Sequence, residues 1–157
     1  MALNASNKFD RGIFITGVRK CGTTFLFDYL SQHPLVISGK IKEPQFFCLE
    51  QKQIENNLDW YQSLFTESGT IIDGSTLYFQ IPESYEQIKK QVANPLFIVC
   101  LRDPAKRFYS SFYHMKVKRP SVEKREIDEL ISAYEALLKK EKSITRYGEV
   151  NLLQGAA

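Results

Sequence analysis

Apolar residues change rhythm along this chain, and each change marks an element. Ile13-Phe14-Ile15-Thr16 is a short β-prone run that stops at Gly17, after which apolar positions take up helical spacing at Phe25, Leu26, Tyr29 and Leu30. The pattern predicts a strand, a loop and a helix. His33-Pro34 closes the helix, because the residue before a proline is pushed out of the α region, and a second short strand over Leu35 to Ile37 can follow. Lys42 to Cys48 reads as a loop with two aromatics, and Leu58, Tyr61, Leu64 and Phe65 then share one helical face beside Trp60.

Ile71-Ile72 and Leu77-Tyr78-Phe79 are short extended segments around an Asp73-Gly74 turn, followed by a helix from about Pro82 to Val92 that ends before Asn94-Pro95. Leu96 to Leu101 is a continuous apolar run, the pattern of a parallel strand covered on both faces, and it ends abruptly at Arg102-Asp103-Pro104, where a helix should begin. Farther on, Val122, Ile127, Leu130, Ile131, Tyr134, Leu137 and Leu138 form one stripe of a long helix opened by Pro120-Ser121. Strands alternating with helices predict an α/β layer structure with a mainly parallel central sheet. No repeat, low-complexity stretch or linker interrupts it, so residues 1–157 are read as a single domain.

Composition narrows the class. The chain is 43% hydrophobic and 25% charged, as expected of an ordinary globular domain, and its net charge of +3 falls short of the dense basic stripe of a nucleic-acid binder. No stretch approaches the roughly 18 apolar residues needed to cross a bilayer, and the N-terminus has no secretory pattern. A cytoplasmic protein without a membrane span is expected. Three widely spaced cysteines, Cys21, Cys48 and Cys100, form no C-x-x-C pair and are read as small apolar fillers.

The candidate chemistry lies in three loops. Gly17-Val18-Arg19-Lys20-Cys21-Gly22-Thr23-Thr24 falls between strand and helix, where backbone N–H groups and the helix dipole converge on a point suited to phosphate. Two glycines permit tight turns, two threonines offer hydroxyls, and Arg19 and Lys20 add positive charge. The spacing is like that of a nucleoside-triphosphate loop, except that Thr23 follows Gly22 and the lysine stands two positions before the glycine. A lysine placed so early arcs over a shorter, single-phosphate donor. Read alone, the segment is better explained as a glycine-rich turn without a ligand role; the later motifs shift the balance.

Arg102-Asp103-Pro104 leads into a helix bearing Lys106, Arg107, Ser110 and Ser111. Ligands of open α/β sheets bind beyond the carboxyl ends of the strands, so this turn and the first loop should face one crevice. Arg102 can fork onto a phosphate and Ser110, two helical turns on, can offer a hydroxyl; alternatively the turn is a solvated basic helix start. Two anion sites in one crevice suit a ligand with two separate phosphates. Lys42-Glu43-Pro44-Gln45-Phe46-Phe47 places a charged pair beside aromatics, where Glu43, partly desolvated by Phe46 and Phe47, could serve as a general base or form a surface ion pair with Lys42.

Taken together, these residues resemble the sulfotransferases that use 3′-phosphoadenosine 5′-phosphosulfate (PAPS), in the branch that modifies sugars such as heparan sulfate and includes bacterial relatives. Gly17 to Thr24 is similar to the 5′-phosphosulfate loop, Lys42 to Phe47 to the K-E-P-x-F-F loop, Leu58-Asp59-Trp60-Tyr61 to the helix after it, and Leu101 to Ser110 to the 3′-phosphate motif. The resemblance implies a three-layer P-loop-like fold, Lys20 and Glu43 as catalytic residues, and donor binding by Arg19, Lys20, Gly22, Thr23, Thr24, Arg102 and Ser110. It implies 3′,5′-adenosine bisphosphate (PAP) as product, no metal, and a carbohydrate or small-molecule acceptor bearing a hydroxyl or amine. Cys21 departs from the family's usual glycine or serine. Family members also run on beyond this length, so the domain is expected to be C-terminally incomplete, with a sheet edge that favours self-association. Two alternatives remain: a truncated remnant that binds nucleotide without turnover, and a P-loop kinase or NTPase holding magnesium on Asp73 or Asp103.

Overall fold

The computed structural model describes residues 9–66, 69–118 and 126–140, and the chain divides into two compact units, Met1–Arg107 and Phe108–Ala157. In the first unit four strands, β1 (Phe9–Gly17), β2 (Val36–Ser38), β3 (Thr70–Asp73) and β4 (Val92–Val99), alternate with helices α1 (Thr23–Leu30), α2 (Gln51–Ser63) and α3 (Pro82–Gln91). The sheet is parallel throughout, in the order β2-β3-β1-β4, with Ile13 in register with Ile72 on one side and Leu96 on the other.

β1 is therefore central, and its unbroken apolar run follows from that position. Successive side chains of a strand point to opposite faces. Phe14 enters a large cluster with Phe46, Phe47, Ile54, Tyr61 and Ile88, whereas Ile15 enters a smaller one with Phe27 of α1 and Ile72. Both are fully buried, and each such side chain contributes about 1.5–3 kcal/mol by leaving water. Helices thus cover the sheet on both faces, with α1 on one and α2 and α3 on the other, as a three-layer arrangement requires.

Three local expectations change. Leu77-Tyr78-Phe79 is not extended but lies within a 3₁₀ turn, Thr76–Gln80, because the buried carboxylate of Asp73 accepts from both Ser75 N–H and the Tyr78 hydroxyl and folds the chain back. β4 begins at Val92 rather than Leu96 and carries Pro95 opposite Gly12. Proline is tolerated there because β4 is an edge strand among the described residues, where a missing N–H costs no ladder bond on the open side. Nor is the run covered on both faces: Leu96 is 56% and Val99 41% exposed.

The second unit holds most of α4 (Pro104–Lys118) and α5 (Ile127–Lys140). Phe112 is buried, Lys116 lies over its ring, and the same lysine pairs with Glu126 just before α5. The opening of this helix predicted at Pro120-Ser121 lies outside the described residues.

Candidate functional site

The loop after β1 is anchored by backbone. Cys100 N–H donates to Gly17 O at 2.7 Å, Val18 N–H donates to Cys100 O at 2.9 Å, and Cys21 N–H donates to Val18 O at 3.2 Å. The end of β4 thereby clamps the start of the loop. Gly17 has φ 154°, and a Cβ there would meet Phe79 Cβ at 2.7 Å, so no larger residue fits. Lys20 and Gly22 are both left-handed, with φ 67° and 87°.

Gly22 caps α1, whose first turn receives no side-chain capping bond, and a Cβ on Gly22 would meet nothing within 4 Å. The first-turn N–H groups of a helix have no intrahelical acceptors. A helix start without a side-chain cap, at the positive end of the dipole, is chemically suited to a phosphate-type oxyanion. Thr23 is buried, whereas Thr24 is exposed.

Arg102 reaches the same loop, donating from Nη1 to Lys20 O at 3.2 Å. The turns after β1 and β4 are thus adjacent, as the parallel topology predicts. Arg19, Lys20 and Arg102 form no ion pair among the described residues, so their charge is uncompensated. Asp103 does not neutralise Arg102; its Oδ1 accepts from Lys106 N–H at 2.9 Å at the start of α4. Ser110 lies on α4, in the second unit.

Lys42 and Glu43 do form the ion pair that the sequence allowed, Nζ to Oε1 at 2.6 Å, with both side chains partly buried. The other carboxylate oxygen of Glu43 accepts from Thr76 Oγ1 at 3.5 Å. Phe46 and Phe47 turn into the core instead of ringing the carboxylate: Phe46 stacks on Tyr61 at 4.7 Å, and Phe47 meets the same ring edge-on.

Sequence reasoning missed what holds this segment. Asp73 is buried, and its Oδ2 accepts from the hydroxyls of Tyr61 and Tyr78, each at 2.9 Å, while Oδ1 accepts from Ser75 N–H. Desolvation pushes its carboxyl pKa up, against the pull of these hydrogen bonds. Burial and the neighbouring Asp73 hold both phenols well above their ordinary range, so they remain donors. The one available signal was an acid closing the apolar run Ile71-Ile72-Asp73. Both acids considered for magnesium are therefore engaged elsewhere, and no group of three His, Cys, Asp or Glu side chains among the described residues could hold a metal.

Comparison with known proteins identifies the family and the fold. The family model described as a sulfotransferase domain matches residues 10–149. Over 120 residues, 73% of this chain, it is 31% identical to bifunctional heparan sulfate N-deacetylase/N-sulfotransferase 1 of Caenorhabditis elegans. Over 111 residues, 69% of the chain, it is 32% identical to human heparan sulfate glucosamine 3-O-sulfotransferase 3B1. The chain spans only 14% and 27% of those two proteins. A crystal structure of a sulfotransferase from Alicyclobacillus acidocaldarius shares the fold, with a TM-score of 0.63 at 24% identity, over 83% of this chain and 59% of that one.

Proposed function

The chain belongs to the sulfotransferase domain family, and on that premise we propose that it forms the donor-binding part of an enzyme that moves a sulfuryl group from PAPS to a sugar hydroxyl or amine. The observation that carries this reading is the contact between Arg102 and the backbone of Lys20, which brings two cationic turns to one mouth. A donor with anionic groups at its 5′ and 3′ ends suits such a pair.

Lys20, the helix start at Gly22, Thr23 and Thr24, and Arg19 would hold the 5′ end, and Arg102 the 3′-phosphate. For Ser110 the latter role rests on family resemblance alone. The bound donor supplies an activated sulfuryl group. Lys20 stabilises charge on the bridging oxygen as the S–O bond breaks, and Glu43 accepts the proton of the acceptor hydroxyl or amine as its oxygen or nitrogen attacks sulfur. Carbohydrate as the acceptor class is supported by the names of the relatives, both of which act on heparan sulfate or its glucosamine.

Calorimetric titration with PAP, set against ATP plus magnesium, tests the donor site. Selective binding of PAP is expected; binding of ATP with magnesium instead would overturn the reading in favour of a kinase.

A further inference from the structure

The segment Lys42–Phe47 is fastened at four points to one short stretch of chain, residues 74–78. Gly74 N–H donates to Lys42 O at 2.9 Å, Ser75 Oγ accepts from Gln45 N–H at 2.8 Å, Thr76 Oγ1 reaches Glu43, and Tyr78 Oη accepts from Phe47 N–H at 3.3 Å. Gln45 is left-handed at φ 53°, a conformation that a non-glycine residue holds only when its surroundings impose it. Gly74 lies so close that a Cβ on it would meet Lys42 Cγ and O at 3.3 Å. Two of the four fasteners, Ser75 and Tyr78, are themselves fixed by Asp73, whose carboxylate bonds to them and to Tyr61.

We propose that Asp73 is a positioning residue: through Ser75 and Tyr78 it sets the place of the Lys42-Glu43 pair. The assignment rests on the reading of Glu43 as proton acceptor for its functional meaning, but its geometry stands without it. Three donors converge on the carboxylate, so an amide of the same shape must turn an N–H toward at least one of them. Asp73→Asn therefore removes the charge and forces at least one of these bonds to reverse or be lost, without opening a cavity. The tyrosine rings pack among Phe46, Phe47 and Tyr61, so Tyr78→Phe keeps the core filled and removes only the hydroxyl.

Amide hydrogen–deuterium exchange separates positioning from general stability. In the Asp73→Asn variant, exchange at Gln45 and Phe47 should quicken at least about tenfold, while Val18 and Cys100 N–H, which clamp the anion loop, change less than about twofold. PAP affinity should stay within about twofold of the parent. Unchanged exchange at Gln45 and Phe47 would overturn the proposal; so would an equal rise at Val18 and Cys100, which would make Asp73 an ordinary core residue. Should Asp73→Asn fail to fold, Tyr78→Phe should quicken exchange at Phe47, whose acceptor it removes, while Gln45, still held through Ser75 and Asp73, changes less than about twofold; an equal rise at Gln45 would overturn the proposal. If the parent chain binds no PAP, the function fails, yet the exchange result still stands or falls alone.

Discussion

The two loops that carry the chemistry are held by opposite means. Gly17 to Thr24 is shaped by its own backbone, with left-handed Lys20 and Gly22, a clamp of main-chain bonds to Cys100, and a helix start left open. Lys42 to Phe47, although Gln45 is left-handed as well, is held chiefly from some thirty residues away, by Gly74 N–H and the side chains of Ser75, Thr76 and Tyr78 around one buried acid. On the proposed reading the first loop is the anion site and the second a mount for the Glu43 carboxylate. Binding and proton transfer thus rest on separate supports and should be separable by substitution.

Lys20→Ala carries the largest expected effect. It should lower transfer from PAPS about a thousandfold, the scale of losing one donor to a developing negative charge, and should weaken PAP binding as well. Gly17→Ala attacks the same loop through its backbone, and the clash with Phe79 should cost about 3 kcal/mol, read as a lower urea midpoint. In the second loop, Glu43→Gln should slow transfer about a hundredfold with PAP affinity unchanged in calorimetry. A loss of affinity there would mean that the two supports are coupled.

Cys48, at the end of the second loop, reports on its burial. Desolvation, then the nearby Asp73 charge, pushes its thiol from 9.0 up to about 11. At pH 8 it should alkylate about a hundredfold more slowly than an unperturbed thiol, because only the thiolate reacts. The smallest effect belongs to Gly22→Ala. That position needs its left-handed φ but has empty space around it, so the change should cost only about 1 kcal/mol in denaturant unfolding.

The same contrast explains what could be read without coordinates. The strand, loop and helix around Gly17 to Thr24 were legible because their determinants are local: glycines at fixed offsets, a β run before them and helical spacing after. Arg102 was placed correctly beside it by the topology rule for parallel sheets, since β1 and β4 are neighbours. Asp73 was weighed as a metal ligand instead, because nothing in Ile71-Ile72-Asp73-Gly74 tells that Tyr61 and Tyr78 converge on it from other elements. Leu77-Tyr78-Phe79 looked extended for the same reason; the hydroxyl bond that turns the chain is invisible in a pattern of apolar residues. The depth of β4 was misjudged because an apolar run shows what a strand could bury, not where in the sheet it stands.

The strand order has a consequence for how the molecule comes into being. Ile13 finds its partners in Ile72 and Leu96, so the earliest of the four strands to be synthesised waits for about 60 and then about 80 further residues before either neighbour exists. Long-range parallel pairing closes slowly, and through that interval Ile13, Phe14 and Ile15 stand unpaired and apolar. The strand from which the Gly17–Thr24 loop departs is thus the one longest open to aggregation during synthesis.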